Sequence, residues 1–415
     1  MNSKKAIFLL LLANFISGIS QGITMLAVPW YFTDIVSQPV LFQKIYFTIT
    51  LLSIFWGLFA GTLVDRYNRK KIFLWINIVG FVVLGGAGIF GFFGSSYHWL
   101  FPTIVYATTY FIYNIHFPAL YGLAQEITPA DQYTQVTSKL EVQGQLTWTI
   151  SGGIAAILIS GVSATNWGSF AIPAIKAIPI HQLFLIDAVT YLIALYLVYK
   201  ITLTPNPNKV VDTASLTDRL KSGFGYLRKH PALFVFGNAS LAVFVCILLQ
   251  ATLTNPIYVK NFLHAGGAVY AWSDMVFSGG ALVAGFITAR VFRSVKTIDG
   301  IIILSAISAL MFGFQLFNTN LLLFFISFFI VGFANAAIRI QRVSYIFKQI
   351  PNHTIGRASS VFFMTNVLFR LLLTSIFTIP FFHHGENIAY SVAVFSLVCI
   401  AAVGALVWVK PRLKD

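Results

Sequence analysis

The sequence predicts an all-α membrane protein, with twelve transmembrane helices in two pseudo-symmetric six-helix bundles. Three observations carry that reading. Of 415 residues, 58% are hydrophobic and only 9% charged, with a mean hydropathy of +0.82, so the natural solvent is lipid. The apolar residues form long unbroken runs instead of the short alternating segments of a strand barrel. Cations gather between those runs, as in residues 61–73, GTLVDRYNRKKIF.

In hydrocarbon every backbone polar group must bond internally, so each run of about 20 apolar residues is read as a helix. The spans fall at roughly 6–33, 39–60, 72–94, 99–122, 138–162, 181–200, 231–258, 268–290, 299–317, 321–345, 357–380 and 388–409. The first is too long for a cleavable signal, lacks a small-residue cleavage site, and runs on through Pro29, Trp30 and Tyr31 to a polar turn. Small-residue runs in the third and eighth spans, LGGAGIFGFFG and SGGALVAG, suit close helix contact.

With the N-terminus inside, the outer loops keep only Lys44, Lys176 and Lys260, and Arg370 lies within a span; the rest of the 27 lysines and arginines sit at inner ends and loops. That bias follows the positive-inside rule and places both termini in the cytoplasm. The net charge of +15 therefore reads as topology, with contact to anionic membrane lipids, and argues against nucleic-acid binding. Cys246 and Cys399 lie far apart in sequence and read as packing residues, with no metal spacing and no disulfide framework.

Residues 1–200 form one six-span half, residues 201–230 a cytoplasmic linker, and residues 231–415 the other half. The linker begins with two prolines and continues SLTDRLKSGFGYLRKHP, the pattern of a short amphipathic basic helix on the membrane surface. Superposing the halves matches Gly61, Arg66 and Arg69 with Gly285, Arg290 and Arg293, Pro129 with Pro351, and Pro29 and Tyr31 with Pro256 and Tyr258. Anchors in order at nearly constant offset indicate two repeats, the architecture in which transporters place substrate near mid-membrane.

The segment Gly61-Thr-Leu-Val-Asp65-Arg66-Tyr-Asn-Arg69-Lys70-Lys71 resembles the loop signature between helices two and three of the major facilitator superfamily, G-x-L-x-D-R-x-G-R-K/R. Asn68 replaces the usual glycine; asparagine is the next residue most tolerant of positive φ. LAVPWYFTD, FLIDAVTYLIALYL, LTDRLKSGFGYLRKHPALF and VSYIFKQIPNHTIGRASSVF are similar to the branch holding bacterial macrolide-efflux proteins and the enterobactin exporter. The similarity covers essentially the whole chain.

That resemblance implies a conformational latch. Asp65 would face the N-terminus of the eleventh helix, starting near Gly356 and Arg357, where a carboxylate gains about 0.3 to 1 kcal/mol. Arg66 or Arg69 would pair with an acid near the end of the fourth helix, Glu126 or Asp131. The alternative is that these charges are solvated topology anchors. The second copy has Ala289 in place of Asp65 and should latch more weakly. The fifth span keeps Gly144, Gly152 and Gly153 of the superfamily's antiporter motif but lacks its proline.

Polar groups inside the membrane are costly and are read as functional candidates. Arg370 is the deepest cation; Arg339, Arg342 and Asn335 share one helical face. These, with Gln21, Gln145, Asn114 and Asn366, are the substrate-binding candidates, snorkelling being the alternative for Arg339 and Arg342. Glu141, Asp187 and Asp34 are the carboxylates for proton coupling, the alternative being structural pairing with an arginine.

These features predict a secondary active transporter of the bacterial cytoplasmic membrane, working by alternating access. It would act as a monomer, without cofactor or metal, exporting an amphipathic organic compound such as a siderophore or drug in exchange for protons. Import or facilitated passage of an organic anion is the alternative. No metal-ligand cluster, phosphate-cradling loop or nucleophile constellation suggests an enzyme.

Overall fold

The computed structural model describes residues 3–93, 97–129, 132–161, 165–167, 170–172, 175–202 and 216–413. Nearly all of them are helical. The chain runs α1 (Ser3–Asp34), α2 (Pro39–Arg66), α3 (Arg69–Phe90), α4 (Leu100–Ile127), α5 (Tyr133–Ser160), a hairpin of β1 (Thr165–Trp167) and β2 (Phe170–Ile172), then α6 (Ile180–Tyr199) and α7 (Leu216–Lys229). In the hairpin Thr165 pairs with Ile172 and Trp167 with Phe170.

The chain continues with α8 (Pro231–Ala239), α9 (Ala242–Leu249), a π turn (Gln250–Thr254), α10 (Asn255–Asn261), α11 (Gly267–Val291), α12 (Thr297–Gln315), α13 (Leu321–Gln349), α14 (Asn352–Phe377) and α15 (Tyr390–Val409). Counting α8 to α10 as one interrupted span, 11 helical stretches among the described residues are long and apolar enough to cross a membrane. The twelfth is α4, whose 28 residues reach about 42 Å at 1.5 Å per residue; its tyrosines, threonines, Asn114 and His116 lower its hydropathy, not its length.

Three features near the signature and the eleventh span sharpen the sequence reading. Helix α2 continues past residue 60 through Asp65 and Arg66, so Asp65 lies in its last turn, at the helix end where the resemblance puts it. Helix α14 begins at Asn352, more than a turn before Arg357, because Pro351 at φ −58° and ψ 142° sets the start. The helix N-terminus therefore precedes Gly356 and Arg357, while the apolar span itself runs Arg357–Phe377. Asn68 has φ −66°, not a positive value, and its side chain accepts a hydrogen bond from the Lys71 amide at 3.2 Å. Asparagine is there as the N-cap of α3, which glycine could not supply through a side chain.

The seventh span is broken twice. A helical turn is lost at Ser240–Leu241, and the π turn precedes Pro256, whose ring lacks the amide needed to bond the preceding turn.

The chain forms two compact units. One comprises residues 1–39, 52–212 and 266–275, the other residues 40–51, 213–265 and 276–415. In the first, Gly18 and Gly22 bring α1 onto α5: a Cβ on Gly22 would meet the Ser151 side chain at 2.5 Å, and Ser151 Oγ donates to the Ile19 carbonyl at 2.9 Å. In the second, Gly280 of α11 lies against the Phe329 carbonyl and Gly332 of α13 against that of Phe277, so only hydrogen fits at either. Helix α7 packs on α14 in the same manner, with Gly223 against the Arg357 backbone and Arg357 Nη1 donating to Ser222 Oγ at 3.0 Å.

Candidate transport site

In the first unit α1 carries a polar stripe, Asn14, Ser17, Gln21 and Thr24, all buried. The spacing of three, four and three residues places them on one helical face. Each end of the stripe holds a titratable side chain from another helix. At one end Thr24 Oγ1 donates to Asp187 Oδ2 of α6 at 2.6 Å, and Thr190 Oγ1 lies 3.4 Å from Oδ1. Asp187 is 1% exposed. Among the described residues its carboxylate is met by hydroxyls and not by a lysine or arginine.

At the other end His116 Nε2 of α4 lies 2.8 Å from Asn14 Oδ1. Asn14 Nδ2 donates to Gln143 Oε1 at 2.9 Å, and Gln143 Nε2 donates to the Leu11 carbonyl at 2.6 Å. Donor and acceptor roles are fixed from the backbone outward, so Asn14 Oδ1 must accept and Nε2 of a neutral His116 must carry the hydrogen.

Gln21 is buried and lines a cavity between α1, α4 and α5. The Asn114 amide donates to its own helix at Tyr110, 2.8 Å away, while Gln145 is half-buried. Asp34 is half-buried in a separate cleft of about 430 Å³ lined by Trp30, Tyr31, Tyr97 and His181. Arg69 of α3 lies 3.2 Å from Glu126 of α4 and donates to the Gly122 carbonyl at 2.9 Å. Its neighbour Lys70 donates to the carbonyls of Tyr199 and Ile201 at 2.9 and 2.6 Å, a cation at the C-terminus of α6. Asp131 and the side chains of Asp65, Arg66 and Glu141 lie outside the described residues, as do the surroundings of Gly61 and Gly356.

The second unit is arranged differently. Arg370 is buried in α14 at 6% exposure, and Asn366, one turn earlier, is also buried. Arg342 Nη1 donates to the Ser240 carbonyl at 3.1 Å, which satisfies the backbone at the helix break. Asn335 is half-buried and Arg339 exposed. Gln250 Nε2 donates to Gln315 Oε1 at 2.7 Å and Gln315 Nε2 to Ser327 Oγ at 2.8 Å, beside the Tyr258 hydroxyl, which donates to the Gln315 carbonyl at 2.6 Å. The Cys246 and Cys399 thiols are buried, free and adjacent. No group of histidine, cysteine and acidic side chains suited to a metal ion occurs among the described residues.

Sequence reading passed over Asn14, Thr24 and Gln315. The spacing of the α1 stripe was a legible signal; the partners of Gln315 were not.

Among the described residues, eleven apolar spans and α4, with glycine-mediated contacts and polar clusters within each unit, define a polytopic helical membrane protein. The chain matches the Major Facilitator Superfamily over residues 10–374 and belongs to that family. Among solved structures it is similar to the nucleoside transporter NupG, at 13% identity, 99% of this chain, 100% of that chain and a TM-score of 0.69. It is similar also to a bacterial homologue of the iron transporter ferroportin in an inward-facing state, at 14% identity, 99% of each chain and a TM-score of 0.72. A D-xylose–proton symporter matches at 12% identity over 98% of this chain and 97% of that one, with a TM-score of 0.70. Identities this low show the fold alone. Comparison with curated proteins gives no significant match. Family and fold together make this a multi-pass membrane protein and point to a transporter of small molecules, not an enzyme.

Proposed function

We propose that the protein is a proton-coupled secondary transporter that exports an amphipathic organic compound, such as a siderophore or drug, by alternating access. It belongs on this reading to the branch that holds macrolide-efflux proteins and the enterobactin exporter. It acts as a monomer in the bacterial cytoplasmic membrane, in contact with its lipids, with both termini inside. The observation that carries the coupling is Asp187, a buried carboxylate held between α1 and α6 by threonine hydroxyls. Such a group can hold a proton without leaving a charge in a low-dielectric site and release it when access changes.

Residues 61–71 serve as the latch, in which Arg69 and Glu126 join α3 to α4. Inside-out vesicles bearing an imposed proton gradient test the proposal directly. Gradient-driven accumulation of a siderophore or drug supports export, and flux in the opposite direction overturns it. The buried Arg370 favours a second reading, passage of an organic anion inward, because a guanidinium keeps its charge in any surroundings.

A further inference from the structure

The polar stripe of α1 borders a cavity of about 40 Å³ lined by Gln21, Thr109, His116 and Thr147. A water needs roughly 10 to 15 Å³ on this measure, so the space holds a few molecules. Two buried hydroxyls along it, Thr109 Oγ1 and Thr147 Oγ1, and the buried Tyr191 Oη outside its lining have no protein hydrogen-bond partner among the described residues. An orphan of this kind is costly to bury unless water supplies the bond. Tyr191 neighbours both Thr109 and Asp187. At the far end, the chain of amides fixes Nε2 of His116 as a donor and leaves Nδ1 as the acceptor on a ring that lines the cavity.

We infer that ordered water in this cavity joins His116 to Asp187 through the hydroxyls of Thr109 and Tyr191, so that an imidazole and a carboxyl within one unit share the transported proton. The inference deepens the proposed coupling role of Asp187 and rests on it. A proton leaving the Asp187 carboxyl is taken by the Tyr191 oxygen as Tyr191 gives its own hydrogen onward. Thr109 and water repeat the exchange, and the last water protonates Nδ1 of His116. Every hydroxyl ends with the hydrogen count it began with, and one positive charge has moved from Asp187 to His116. Tyr113 and Tyr121 are the other titratable side chains facing the cavity, and among the described residues no lysine or arginine lines it. The rings of Phe73 and Phe117 lie 4.9 and 5.5 Å from that of His116.

Infrared difference spectroscopy of the purified protein tests the connection without transport. The Asp187 carboxyl band is identified as the one lost in Asp187→Asn, and its shift on transfer to heavy water reports exchange of that proton. Thr109→Val with Thr147→Val keeps the volume and removes the hydroxyls that hold water. The expected result is exchange slowed at least ten-fold, with a smaller slowing in His116→Gln and none in Thr33→Val, whose hydroxyl bonds its own helix at Pro29. Unchanged exchange in the Thr109 and Thr147 variant overturns the water path, and so does equal slowing in Thr33→Val. If the double variant does not fold, Thr109→Val alone carries the same two outcomes. Vesicle flux in Asp187→Asn is a separate readout, so failure of the coupling proposal is distinguishable from failure of the path.

Discussion

In the first unit the buried polar interior contains Asp187 and His116, each held by neutral hydroxyls or amides, whereas in the second it is built from Gln250, Gln315, Ser327 and Tyr258, with Arg370 buried separately. Two halves of one family fold thus bury comparable numbers of polar groups with different chemistry. In the glutamine cluster Gln250 Nε2, Gln315 Nε2 and the Tyr258 hydroxyl all donate to protein acceptors, and no member changes charge near neutral pH. It fixes the backbone beside the π turn. Both units leave buried polar atoms without a protein partner among the described residues, Gln250 Oε1 in the cluster included; in the first unit two of them, the Thr109 and Thr147 hydroxyls, border a cavity that His116 lines. The contrast teaches that repeated architecture sets helix placement, while a few substitutions on each inner face divide the labour between ion chemistry and shape.

Exchanging single groups can break that division. Asp187→Asn keeps the shape and the Thr24 contact but removes proton exchange; gradient-driven flux in vesicles should fall about a hundred-fold, ~2.7 kcal/mol, with normal membrane abundance. Retained flux would erase the distinction between the units.

Packing comes next. Gly22→Leu drives a side chain into Ser151 and should destabilise the first unit by about 2 to 3 kcal/mol, read as a lower unfolding temperature in detergent. Gln315→Leu strands the Gln250 amide in the second unit, while the Ser327 hydroxyl keeps its bond to the Phe324 carbonyl, and should cost about 2 kcal/mol. If coupling stoichiometry is unchanged in Gln315→Leu, the second unit's network is a framework only, which sharpens the comparison.

Smaller effects test the edges. Arg69→Gln loses the Glu126 pair, in which both side chains are partly exposed, and the bond to Gly122; the expected cost is about 1 kcal/mol. No arginine–carboxylate pair at the equivalent Arg293 occurs among the described residues, and Arg293→Gln should be near neutral. Last, burial lowers the pKa of His383, outweighing the bond to the Phe377 carbonyl, which raises it, while His384 lowers it further. The folded state then binds fewer protons than the unfolded one below the ordinary histidine range. This contribution is fully present above the unfolded pKa and is lost as pH falls toward the folded value. Thermal stability should drop less on acidification in His383→Gln than in the parent.

The spans were legible because hydropathy summed over about twenty residues is a property of the chain in one dimension, and the cost of unbonded backbone in lipid leaves no other structure for such runs. Even the glycine-rich runs of α3 and α11 announced close contacts. Asp187 was recognisable as a costly group for the same reason. Its partners were not, since Thr24 lies 163 residues away, His116 is 102 residues from Asn14, and Gln250 is 65 from Gln315. The role of Asn68 shows the limit at short range: its identity suggested a turn, and the start of α3 made it a cap. Sequence alone determined where the membrane spans lie, where each begins to within a turn or so, and which residues are expensive to bury. Tertiary structure decided which of those residues meet, because a hydrogen bond acts over about 3 Å and only packing brings distant segments that close.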